Sequence, residues 1–300
     1  MPFGRKDDSK GAAPPPPTPQ TSPAPGDAAT ISGRFSMPQA ASSRMARLEH
    51  LEETDSSAFT SDLSVNEFVL LHKLGFKPLG YVMGSSIYHV GLQYGNWRQS
   101  MELDVLTTAM YNARSLAIDR MRTEAHALKA DGIVGVHLAI QPHAWGQGEL
   151  EFVAQGTAVQ ARDADTDHKL ADGGPFTSDL SGQDFFTLVK AGHFPRSLVF
   201  GTCVYHVAHQ SVRQAMKMTG QNMEIPLFTE AVYTARELAM TRMEDEAAHY
   251  GADGIVGVRA NVYNHIWGEH ATEFLAVGTG VVTSPESGLA EPSMTLSLSG

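Results

Sequence analysis

The 300-residue chain has a single cysteine, Cys203. One thiol closes no intrachain disulfide and cannot build a thiolate-rich metal cage, and it fits a reducing compartment. Clustered basic residues are also missing. Lys and Arg total 22 against 33 Asp and Glu, a formal net charge of −11. A surface of that sign is a poor match for polyanions, which excludes nucleic acid as an expected partner. No apolar run approaches the roughly 18 residues of a membrane span, and "MPFGRKDDSK" opens no apolar signal region. The sequence therefore predicts a soluble, cytoplasmic protein. Catalytic signatures are absent too. There is no G-x-S-x-G elbow, Walker loop or G-x-G-x-x-G, and no H-E-x-x-H or Cys-x-x-Cys. The expectation is a protein that is not an enzyme.

What the chain does have is repetition. "FTSDLS" occurs at Phe59 and Phe176, and "GSSIYHV" at Gly84 returns as "GTCVYHV" at Gly201, both 117 positions apart. "ADGIVGV" occurs at Ala130 and Ala252, and "EFVAQGTAV" at Glu151 returns as "EFLAVGTGV" at Glu273, both 122 apart. The second copy thus carries five extra residues, between Val207 and Leu227. These offsets define a repeat over 59–162 and another over 175–283, joined by the polar linker 163–174. Residues 1–58 read as a disordered tail rich in Pro, Ala and Ser, and 284–300 as a second tail. "SSRMARLEHLEE" (Ser42–Glu53) could form an exposed helix opened by Ser42 or Ser43. The tail is a docking peptide for a protein partner or a solvated spacer, and the spacer is the plainer expectation.

Within each repeat, "SVNE" at Ser64 is a capping box, with "SGQD" at Ser181 a weaker one. Gly75 and Gly192 fit the helix stop that follows. A glycine-containing strand comes next, its glycines suggesting bulges. A long amphipathic helix then carries Leu106, Met110, Ala113, Ala117, Met121 and Ala125, or Ala231, Ala235, Ala239 and Met243. "ADGIVGV" is its joint to the next strand, with Asp131-Gly132 and Asp253-Gly254 as the turn and positive φ expected at the glycine. Two hairpin-linked strands finish the unit. The order is helix, strand, long helix, strand, strand. One helix covers one face of such a sheet; the other face needs solvent, the second repeat or another chain.

"LGYVMGSSIY" (Leu79–Tyr88), "YNARSLAIDRMRTEAHALKADGIVGV" (Tyr111–Val136) and "EFVAQGTAV", with their second-copy counterparts, resemble the YbjQ family, which carries a heavy-metal-binding label. The resemblance covers about two thirds of the chain. It implies an α+β fold of tandem duplicated β-α-β-β domains like the dodecin subunit, each here with an extra N-terminal helix. It also implies ring-shaped homo-oligomers, typically pentamers, although fused pairs must rearrange such a ring.

The candidate ligand is a divalent or soft metal ion, following the family label. Neutral imidazole is its commonest donor. His89 recurs as His206 and His143 as His265, with Glu151 and Glu273 following on the last strand. The competing reading is that these residues recur because the fold was duplicated. Cys203, in the place of Ser86, is a soft ligand or a small buried residue. Met216, Met218 and Met223 are a copper-binding or a padding set. Trp145 and Trp267 either stack a flavin-like ligand or staple the hairpin to a neighbour, and the staple is favoured. Assembly without any metal is the alternative function.

Overall fold

The computed structural model describes residues 37–53, 59–89, 100–142, 149–162, 168–170, 172–207, 224–264 and 271–283. Helix α1 (Gln39–Glu53) precedes the first repeat. It begins before Ser42 and Ser43, which lie inside it and bond back to Pro38 and Gln39 carbonyls, so neither serine opens it. Nor is α1 merely exposed. Arg44 reaches the Glu124 carboxylate at 2.8 Å and the Tyr81 carbonyl at 2.7 Å.

The first repeat runs through α2 (Val65–Lys73), β1 (Phe76–His89), β2 (Met101–Glu102), α3 (Asp104–Ala127), β3 (Gly132–Pro142) and β4 (Glu149–Ala161). The second runs through β5 (Phe176–Thr177), α4 (Gly182–Lys190), β6 (His193–His206), α5 (Pro226–His249), β7 (Gly254–Asn264) and β8 (Ala271–Thr283). The order expected from the sequence is present in both. Ser64 and Glu67 complete the capping box reciprocally, and Ser181 caps α4 through the Asp184 amide. Gly75 and Gly192 stop their helices at φ +85° and +82°.

The long strands pair antiparallel, and each sheet borrows a short strand from the other repeat. The first sheet has the order β1-β4-β3-β5 and the second β2-β6-β8-β7. Strand β5 adds to β3 in parallel, while β2 adds to β6 antiparallel. Two-residue strands have no periodicity for a sequence pattern to register, so these exchanges were not foreseen.

Each long helix lies on its own sheet at a glycine. A Cβ at Gly84 would come within 1.9 Å of the Ala117 carbonyl oxygen, and one at Gly201 within 1.9 Å of that of Ala239. These glycines are helix contacts. The bulges of the same strands fall elsewhere, at Pro78/Gly80 and Pro195/Ser197. Gly132 also departs from expectation. Positive φ flanks the first joint at Lys129 (56°) and Gly135 (70°), and the second at Gly251 (67°) and Gly257 (66°). Asp131 and Asp253 do hold the joints, accepting the Ala161 and Thr283 amides at 2.8 Å.

Helix α3 is sandwiched. One face packs on Val82, Phe152, Ala154 and Ala158 of its own sheet, and the other on Leu198, Phe200, Val204, Leu275 and Val277 of the second sheet. The second sheet is therefore covered on both sides, by α3 and by α5 through Val199, Cys203, Phe274 and Ala276. Among the described residues the first sheet is packed against a long helix on one side only. Met83 and Ile87 (53% exposed) stand on its outer face.

Candidate functional site: the seam between the repeats

Four side chains of α3 make the seam. Thr107, Tyr111, Arg114 and Ile118 recur every three to four residues and form a second stripe beside the apolar one. The Thr107 hydroxyl accepts the Val204 amide at 2.9 Å. The Tyr111 ring stacks on Phe200 with centroids 4.9 Å apart. Arg114 pairs with Glu273 at 2.7 Å, with only 2% and 0% of the two side chains exposed. The Thr202 hydroxyl donates to the same Glu273 oxygen at 2.6 Å, and the Arg114 guanidinium lies 5.2 Å from the Phe152 ring centre. The Glu273 carboxylate is thus held twice, whereas Arg114 Nε and Nη2 are buried without a hydrogen-bond partner among the described residues, so the desolvation of this dry pair is only partly offset. Beside it, Arg242 of α5 grips Glu102 of β2 with two bonds of 2.7 and 3.0 Å.

A cavity of about 560 Å³ opens along the seam, lined in part by Tyr111, Asp119, Arg122, Glu246, His249 and Tyr250. Burial pushes the Glu246 carboxyl up to about 8, against the opposing pull of the Phe200 amide and the Tyr111 hydroxyl. Those donors stand at 2.6 and 3.2 Å. Burial likewise raises Asp119. A carboxyl of this kind resembles a general acid. The geometry of its counterpart Glu124 points to a structural role instead, since Glu124 accepts the Met83 amide of β1 at 3.0 Å as Glu246 accepts that of Phe200. The recurrent task of both glutamates is to tie the long helix to the strand edge beside it.

The residues named from the sequence are dispersed. His89 is exposed at the end of β1 opposite Glu149. His206 is buried at the end of β6, opposite Ala271 and beside Met101. Glu151 is half-buried on the outer face of the first sheet and accepts the Ser85 hydroxyl at 2.7 Å. Glu273 is committed to Arg114 and Thr202. His143, His265, Trp145, Trp267, Met216, Met218 and Met223 lie outside the described residues. Among the described residues no three His, Cys, Asp or Glu side chains are placed to share a metal ion. Glu273, with a guanidinium on it, does not fit as a metal ligand. Cys203 is a buried core residue whose thiol burial pushes well up, away from the reactive thiolate. Arg114, Tyr111 and Thr107 were missed because an apolar-stripe template passes over polar residues. Their recurrence as Arg236, Tyr233 and Thr229 was the available signal.

Comparison with known proteins adds identity. The YbjQ family model, described as "Putative heavy-metal-binding", matches residues 99–162 and 196–284. "Encapsulin nanocompartment protein Rv1762c" of Mycobacterium tuberculosis is 48% identical over 250 residues, covering 83% of this chain and 94% of that protein. A UPF0145 protein of Methanoregula boonei is 38% identical over 69 residues and one of Vibrio campbellii 41% over 58. Those alignments span 56% and 54% of the two relatives' own length. No described helix is long and apolar enough to cross a membrane. Matched twice along its length and related to a protein of nearly the same extent, this chain belongs to the YbjQ family as two tandem copies.

Proposed function

We propose that this chain is a non-catalytic assembly protein that joins its own copies head to tail, as a nanocompartment component of the kind its mycobacterial relative's name indicates. One observation carries the reading. The two halves of the buried seam recur at the two ends of the chain, and there they are exposed or half-buried at the surface. On α5, Tyr233 (55% exposed) and Arg236 are the counterparts of Tyr111 and Arg114. On the first sheet, Met83, Ser85, Ile87 and Glu151 are the counterparts of Phe200, Thr202, Val204 and Glu273. Ser85 holds Glu151 as Thr202 holds Glu273, so the receiving carboxylate is already oriented. The surface that meets a partner differs from the surface the partner presents, which makes the contact heterologous and repeatable into a ring or an open filament.

The heavy-metal label of the family receives no support from the described donors. The test is a charge exchange. Arg236→Glu and Glu151→Arg should each reduce the assembled mass to single chains. The double variant should recover assembly through the inverted pair. Full assembly in both single variants would sink the proposal.

A further inference from the structure

We propose that the Phe59–Thr60 segment of one copy adds as a short parallel strand to the β7 edge of another, with the Phe59 ring seated over Gly254. This rests on the head-to-tail reading and names its latch.

The contact already exists once inside the chain. Phe176 and Thr177 pair with Gly132 and Ile133. The Phe176 amide donates to the Asp131 carbonyl at 3.0 Å, Ser178 to Ile133 at 2.9 Å, and Val136 to Ser178 at 2.8 Å. A Cβ at position 132 would meet the Phe176 ring at 2.1 Å. Glycine is required at 132 because an aromatic ring from the next repeat lies against it.

The second instance has all its parts, held apart. "ADGIVGV" returns around Gly254 and "FTSDLS" stands at Phe59. Among the described residues nothing comes within 4 Å of a Cβ built on Gly254. Gly254 is not one of the positive-φ glycines either. Its own repeat thus gives no steric or conformational reason for glycine, whereas a ring arriving from outside does. Phe59 is 49% exposed where Phe176 is fully buried. It is nonetheless presented in the same way. Phe59 stacks on Phe68 at 5.5 Å and 4°, as Phe176 stacks on Phe185 at 5.9 Å and 7°. Ser61 and Asp62 bond Thr157 as Ser178 and Asp179 bond Thr279. The segment is ordered before it binds, so little conformational entropy remains to be lost on docking.

Among the described residues the receiving edge is open. β7 is the last strand of its sheet, and Val258 and Val262 are exposed along it, whereas β3 has its edge taken by β5. An uncovered strand edge is a template for β-augmentation. The occupant is a second copy, because the segment that fits this edge is part of this chain. The latch also continues the established seam. In that seam one repeat contributes its long helix and its joint-strand edge, and the next contributes its sheet face and its "FTSDLS". The α5 face and the β7 edge are the same pair of surfaces at the far end of the chain.

The experiment is the native mass of the full chain with Gly254→Val, with Phe59→Ala, and with the Thr60→Cys/Ile255→Cys pair, the counterparts of the paired Thr177 and Ile133, which leaves the ring and the glycine in place. Gly254→Val adds bulk where no described neighbour stands. The expected result is an unchanged far-ultraviolet spectrum and loss of assembled mass to the 32.3 kDa chain. Phe59→Ala should give the same loss. The cysteine pair, independent of any folding defect, should link separate chains into a ladder on a non-reducing gel, collapsed by reductant. An assembly that survives Gly254→Val at wild-type mass, or a cysteine pair that yields no interchain ladder while the wild type assembles, overturns the latch and leaves the head-to-tail reading standing. A wild-type protein of 32.3 kDa overturns both.

Discussion

Replacing Arg114 by methionine tests the seam most severely. The side chain is 2% exposed and its guanidinium stands 2.7 Å from Glu273, itself fully buried. Methionine fills much of the same volume, so the lost apolar packing is small. The electrostatic loss is not small. Removing one partner of a buried pair leaves a desolvated charge, which costs roughly 3–5 kcal/mol. A domain's whole stability is about 5–15 kcal/mol, so the loss should be evident in a urea titration as a large fall in the midpoint. Arg114→Met/Glu273→Met should recover most of it, since replacing both charges by apolar groups is often neutral or favourable. Arg236→Met, at the exposed counterpart, should shift the stability of dissociated chains by no more than about 0.5 kcal/mol. If Arg114→Met lies within about 1 kcal/mol of wild type, the seam is not a buried ion pair and the reasoning fails.

Glu246 gives a pH signature. Its folded-state value is raised from 4.5 to about 8, so the native chain binds this proton more tightly than the unfolded chain does. Stability contributed at acid pH is then lost as pH rises from about 4.5 to 8, by on the order of 5 kcal/mol at most. Glu246→Gln should flatten that slope in melts run from pH 5 to 9, and an unchanged slope would rule the group out. Gly84→Val, whose Cβ has no room before the Ala117 carbonyl, should destabilise the first repeat by about 1–3 kcal/mol or more. Arg44→Ala should loosen α1 from the first repeat, read as faster amide exchange in residues 39–53, with the second repeat unaffected.

Much of the fold was legible because duplication supplies its own control. Each feature of one repeat could be checked against the other, and the capping serines, stop glycines and long helices follow local rules that do not depend on tertiary context. The open sheet face was legible too, as a deficit of one helix per sheet. Its resolution was not, because a repeat pattern cannot say that α3 serves two sheets while α5 serves one. Gly132 shows the same limit. A glycine after aspartate suggests a turn, yet this one is required by a ring 44 positions along the chain. The candidate site fared worse. Histidine and glutamate recur wherever the duplicated fold does, which leaves their role unread, and no local pattern signals that Glu273 faces an arginine of the other repeat.

The central claim is that the seam inside one chain is also the seam between chains. Native mass spectrometry of the untagged full-length protein tests it most directly. The claim predicts integral multiples of the 32.3 kDa chain at micromolar concentration, reduced to single chains by Arg236→Glu. A wild-type protein that stays at 32.3 kDa under those conditions would contradict it.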